Sequence, residues 1–244
     1  MSKMCILNLK QKTTKIAICF LFLFSIFNIQ SFSAEKKARI TDYKNFAFIV
    51  SGPSGVGKTT VVDGFVAKHK NEVNVAISTT TRAKRGAEVD GKDYYFVSKD
   101  SFKKLIDKGE FLEYSKNYDN YYGSTIRNYV ESQLAGKEVI YNLSVDGMKK
   151  AKKNHPKFDF VTIFMAPPSL DVLYQRLKNR NTETEEQVKK RFSKAKEEME
   201  HAKEFDYVIY NCNVDDTVKM FETIYLAEQR KRELPRDKYN VGKK

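Results

Sequence analysis

Eight consecutive residues, Gly52-Pro53-Ser54-Gly55-Val56-Gly57-Lys58-Thr59, constrain this chain more than any other stretch, because they read G-x-x-x-x-G-K-[ST]. A glycine-rich turn of this spacing works between a buried strand and a helix N-terminus, where successive backbone N–H groups converge on an anion. Both flanks are present. Residues 46–50 read as a short buried strand, and residues 60–68 as the first turns of a helix. In that setting Gly52 to Thr60 would wrap the phosphates of a nucleoside triphosphate. Lys58 would reach the β- and γ-phosphates, and the Thr59 hydroxyl would sit on Mg²⁺.

The rest of the chain repeats that strand-then-helix alternation. Strands are predicted at 73–78, 94–97, 111–114, 138–142, 160–165 and 207–210. Helices are predicted at 99–108, 125–134, up to about 154, from the Ser169 cap to 180, from 182 onward, and at 215–232. Strands separated by helices imply an α/β fold, a parallel sheet covered by helices on both faces, with ligands at the carboxyl ends of the strands. The short strands near 94–97 and 111–114 belong to a small inserted subdomain, about 78–125.

The first residues are a different object. Lys3, Lys10, Lys12 and Lys15 precede an unbroken apolar run over 16–27, and Ser31 and Ser33 supply small residues before Ala34. That order describes a secretory signal peptide over 1–33, with an uncleaved membrane anchor through 16–29 as the competing reading. A start codon placed upstream of a cytoplasmic enzyme is a third. Exported or membrane-anchored is the expected localisation, cytoplasmic the alternative. Removing residues 1–33 deletes four lysines and no acids, lowering the net charge from +13 to +9, and leaves Cys212 as the lone cysteine. One cysteine forms no internal disulfide, so cysteine usage lends an oxidising destination no support. A charged linker spans 34–44, a globular domain 45–234 and a basic tail 235–244. The positive charge suits nucleotides, and nothing beyond charge points to a specific nucleic acid.

A phosphate loop alone does not choose among kinases, GTPases and motor ATPases. The segment Ser78-Thr79-Thr80-Thr81-Arg82-Ala83-Lys84-Arg85-Gly86-Ala87-Glu88-Val89-Asp90-Gly91-Lys92-Asp93-Tyr94 closely resembles the signature of guanylate kinases, as does Asn120-Tyr121-Tyr122-Gly123-Ser124-Thr125. The resemblance runs from about residue 46 to 232. It implies ATP-dependent phosphorylation of GMP or dGMP, with Mg²⁺ accompanying ATP. Two guanidinium forks, Arg82 and Arg85, suit a phosphate dianion, with the Tyr94 and Tyr122 hydroxyls as neutral donors. The resemblance implies Glu113 as the reader of guanine's adjacent N1–H and N2–H donors, supported by Ser78 and Ser124. It further implies a helical lid at about 180–195, to which Arg176, Arg180 and Arg191 correspond, and places Asn211 at the adenine of ATP. Lys58, Arg180 and Arg191 are the expected catalytic residues.

The chain departs from that family after residue 140. Guanylate kinases usually read L-D-I-D-x-Q-G there; this chain reads Tyr141-Asn142-Leu143-Ser144-Val145-Asp146-Gly147. Two acids are replaced, by Asn142 and Ser144, and Asn181 stands where the family has a glycine after Arg180. An alternative reading follows, a catalytically weakened module that binds nucleotide or protein.

Overall fold

The computed structural model describes residues 45–117, 119–179 and 184–233. The leader, the linker over 34–44, the tail and Arg180 lie outside the described residues. Every residue of strand β1 (Ala47–Ser51) is buried, so both its edges need hydrogen-bonded neighbours and both its faces need helices. It receives them at the centre of a sheet ordered β2-β7-β1-β8-β9, in which every pairing is parallel. Its partners are β2 (Val73–Val75), β7 (Glu138–Asn142), β8 (Phe160–Ala166) and β9 (Tyr207–Tyr210).

Alternation along the first strand divides the core. Phe46, Phe48 and Val50 pack with Phe65 of α1 (Lys58–Lys68) and with Phe221 and Tyr225 of α7 (Val214–Glu233). Ala47 and Ile49 turn the other way, joining Tyr129 of α3 (Ile126–Leu134) and Met148 of α4 (Val145–Asn154). A third cluster, Leu173, Leu177, Val188 and Ala195, joins α5 (Leu170–Lys178) to α6 (Glu185–Glu200). Ser169 caps α5 as its sequence position suggests, and Thr184 with Gln187 forms a capping box that starts α6. Among the described residues no helix is long and apolar enough to cross a membrane.

A second sheet, ordered β4-β3-β6-β5, carries the inserted region. Here the structure corrects two sequence expectations. The strand expected over 73–78 breaks: β2 stays in the central sheet, and the chain crosses to β3 (Thr79–Thr80), which pairs with β4 (Tyr95–Phe96). Residues Asn120–Thr125, read only as a motif, form strand β6 against β5 (Phe111–Asn117). Their polar composition hides the alternation that would have announced a strand. Helix α2 (Lys99–Asp107), capped by Ser98, places Phe102 against Phe111 and Tyr121 of this sheet.

Candidate active site

The loop between β1 and α1 is held open by its neighbours. Gly57 has φ 97° at the N-cap of α1, and a Cβ there would lie 2.5 Å from Asn211 Nδ2, so neither backbone nor space admits a side chain. Asn211 is buried. Its Nδ2 donates to Val56 O at 2.7 Å, and its Oδ1 accepts from Thr217 Oγ1 at 3.0 Å. Arg176 reaches the same region, donating to Val56 O at 3.4 Å and Asn211 O at 3.1 Å. Both residues therefore brace the loop from behind, the Asn211 amide being shared between Val56 of the loop and Thr217 of α7. Lys58 Nζ arches over the turn, donating to Gly52 O at 2.5 Å and Pro53 O at 3.2 Å. From α6, Arg191 Nη1 donates to Ser54 Oγ at 3.3 Å. Thr59 and Thr60 are exposed at the mouth of the helix. The loop thus gathers backbone donors, an ammonium and a guanidinium around one point, as a polyphosphate requires.

The second sheet builds a different kind of pocket. Arg82 grips Glu88 with both terminal nitrogens, at 3.0 and 2.8 Å, and its guanidinium lies 5.5 Å from the Tyr94 ring centroid. Glu88 also accepts from the Arg85 backbone N–H at 2.7 Å, while the Arg85 side chain is exposed. The Arg82 pairing holds the Glu88 carboxyl below its ordinary range and raises the guanidinium in turn. Tyr94 and Tyr122 meet edge to face at 6.4 Å, and burial raises the Tyr94 hydroxyl. Two residues further along β6, on the same face as Tyr122, Ser124 Oγ lies 3.2 Å from Ser78 Oγ. A cationic-phenolic end and a hydroxyl-carboxylate end therefore stand about 7 Å apart on one strand face.

Glu113 is aimed by a β-bulge. Register slips between Phe111 and Glu113, so Leu112 is an extra residue on β5. A bulge re-aims the side chains beside it. Leu112 enters the core with Met148 of α4, while the Glu113 carboxylate lies against Gly147 of the same helix. Glu113 is 9% exposed, and burial lifts its pKa to about 7, opposed by the Ser124 N–H and hydroxyl and by the Lys150 ammonium. A buried carboxylate with one side open can accept from two adjacent donors.

Helix α4 ties the two ends together. Leu143 N donates to Val50 O at 3.1 Å just before the phosphate loop, and the helix then packs on β5. Ser144 caps it, accepting from Gly147 N at 3.1 Å. Asn142 is exposed at the end of β7 beside Val50. Asp146 lies within electrostatic reach of Glu198 on α6, itself within reach of Lys58, and burial raises the Glu198 carboxyl above its ordinary range. Sequence reasoning missed three functional neighbours: Glu88, Gly147 and Glu198. Glu88 had a local signal, an acid three residues after Arg85. Gly147 stood in the quoted family motif only as the glycine that fixes its register, and Glu198 had no signal, because its partners are distant in the chain.

Comparison with known proteins matches residues 44–228 to the family model "Guanylate kinase". A guanylate kinase of Rickettsia felis is 44% identical over 189 residues, 77% of this chain and 96% of that one. One from Clostridioides difficile is 41% identical over 188 residues, 77% of this chain and 90% of that one. The crystal structure of guanylate kinase from Anaplasma phagocytophilum superposes with a TM-score of 0.61 at 30% identity, covering 76% of this chain and 86% of that one.

Proposed function

The chain belongs to the guanylate kinase family, and from that premise we propose how its residues divide the work. It is an enzyme, a nucleotide kinase that transfers a phosphoryl group from ATP to GMP. In our reading Gly52 to Thr60 hold the donor phosphates, with Lys58 along the β- and γ-oxygens. Arg191, already on Ser54, neutralises charge on the transferring group. Arg180 is assigned the same task from sequence alone. Arg82, Arg85, Tyr94 and Tyr122 receive the acceptor phosphate, which exchanges places with the Glu88 carboxylate on the Arg82 fork. Glu113, Ser78 and Ser124 read the guanine, and dGMP fits the same contacts. The acceptor oxygen is already ionised, so positioning and charge neutralisation suffice and no general base is needed.

Mg²⁺ fits this site through its preference for oxygen ligands and retained water. Among the described residues no cluster of acids, histidines or cysteines could hold a metal alone. The exposed Thr59 hydroxyl is the protein ligand we assign, the nucleotide supplying phosphate oxygens. When bound, the ion neutralises charge on those oxygens. Asn142 and Ser144 replace the family's acids without removing loop, clamp or base reader. The leader, outside the described residues, is assigned from sequence to export or membrane anchoring through 16–29; fractionating the producing cells with antibody against the tail tests it.

The observation that carries the substrate assignment is the buried, bulge-aimed Glu113 between Ser124 and α4. A coupled assay of the full chain with ATP, Mg²⁺ and GMP, dGMP, AMP or UMP tests it. Turnover is expected with GMP and dGMP and is lost in Glu113→Ala; equal rates with AMP would overturn the assignment.

A further inference from the structure

We infer that Gly147 determines specificity in the acceptor pocket: its missing side chain is what lets the Glu113 carboxylate rest against the first turn of α4. This deepens the reading of Glu113 as base reader and rests on it. Glycine is among the poorest helix formers, and Gly147 is the third residue of a ten-residue helix. Its backbone does not demand glycine, since it is absent from the residues with positive φ. The demand comes from its neighbours. A Cβ at Gly147 would lie 3.2 Å from Glu113 Oε2, 3.3 Å from Ser144 Oγ and 3.3 Å from Leu143 Cβ.

Each of these is inside ordinary van der Waals separation, so every neighbour must give by a few tenths of an ångström, and the one with most freedom gives most. Leu143 Cβ is fixed to buried backbone, and Ser144 Oγ is held by the Gly147 N–H it caps. The Glu113 carboxylate sits at the end of a flexible side chain and is the group that moves. Moving it by a few tenths of an ångström disturbs its alignment with a pair of adjacent N–H donors more than with a single donor. Gly147 therefore acts through Glu113, as a positioning residue that favours bases carrying both donors.

Gly147→Ala, assayed in the full chain by titration calorimetry and steady-state kinetics, tests this. The expected result is an approximately tenfold weaker affinity for GMP and a smaller loss for inosine monophosphate, which lacks the 2-amino donor. KM for ATP should change less than twofold, and the melting temperature should hold or rise, because alanine favours the helix. A merely structural role would lower the melting temperature and leave the GMP-to-inosine-monophosphate preference unchanged. Glu113→Gln separates the two readings. If it leaves GMP affinity intact, the base-reader assignment fails; if it weakens GMP while Gly147→Ala binds normally, the Gly147 inference alone fails. Should Gly147→Ala not fold, the double variant with Glu113→Ala decides. Recovery of folding supports the squeeze, and a double variant equally unfolded overturns it.

Discussion

In the division of work proposed above, the loop between β1 and α1 and the pocket of the second sheet receive the same chemical group by opposite means. Between β1 and α1 the binding surface is mostly main chain, braced by Arg176 and Asn211 and closed by Lys58 and Arg191. In the second sheet it is side chain throughout, and its strongest cation is already paired internally with Glu88. Backbone amides carry no net charge that needs neutralising in the free protein. A guanidinium in a half-buried pocket does, and Glu88 neutralises it. On that proposal the donor loop is preformed, whereas the acceptor pocket exchanges the Glu88 carboxylate for a phosphate on the Arg82 fork.

Variants can break this comparison, starting with the largest effect. Lys58→Ala removes the one fixed ammonium of the donor loop and should lower kcat by about 10³-fold or more, read in the coupled assay. Arg191→Ala should cost about 10²-fold in kcat with KM for GMP little changed, since its contact is to Ser54 on the donor side. A rise in KM for GMP without a fall in kcat would move Arg191 to the acceptor side.

The acceptor pocket should respond to pH where the donor loop does not. Glu113 is raised from 4.5 to about 7 by burial, so below pH 7 it is increasingly protonated and cannot accept from two donors. GMP affinity should fall about tenfold per pH unit below 7, measured by calorimetry, and Glu113→Gln should flatten the profile. The sign for stability is opposite. A carboxyl raised on folding contributes stability fully present below pH 4.5 and lost as pH rises through about 7. The loss is up to about 3 kcal/mol in the ligand-free protein, and thermal denaturation against pH reads it. The smallest effect is expected from Asn142→Asp, a severalfold rise in kcat. Glu198, within electrostatic reach of Lys58, and Asp146, within reach of Glu198, already place acids on this side of the loop, the Glu198 carboxyl raised by burial, so restoring one more acid changes little. A rise of a hundredfold or more would show that they do not substitute for it.

These regions were also unequally legible. The helices and the central strands followed from periodicity and caps, with β7 and β9 at the expected bounds, because each is stabilised by a local pattern reinforced by burial. Strand β6 did not, since Asn120-Tyr121-Tyr122-Gly123-Ser124-Thr125 sets Tyr121 against α2 on one face and Tyr122 and Ser124 against Tyr94 and Ser78 on the other, rather than against a continuous core. The break between β2 and β3 was hidden for a related reason. Residues 73–78 look like one strand, and only the offer of hydrogen bonds from two separate sheets divides them.

What the chain alone determined is the glycine-rich loop proposed to hold the donor phosphates, because such a loop is a backbone device whose geometry is written in eight adjacent residues, Gly52 to Thr59. What folding had to decide is how the acceptor end is aimed. The bulge at Leu112, the Glu88 carboxylate on the Arg82 fork and the space at Gly147 all depend on partners brought together from separate strands and helices. Side-chain direction and charge neutralisation are set by those neighbours, and proximity in space is not encoded in spacing along the chain.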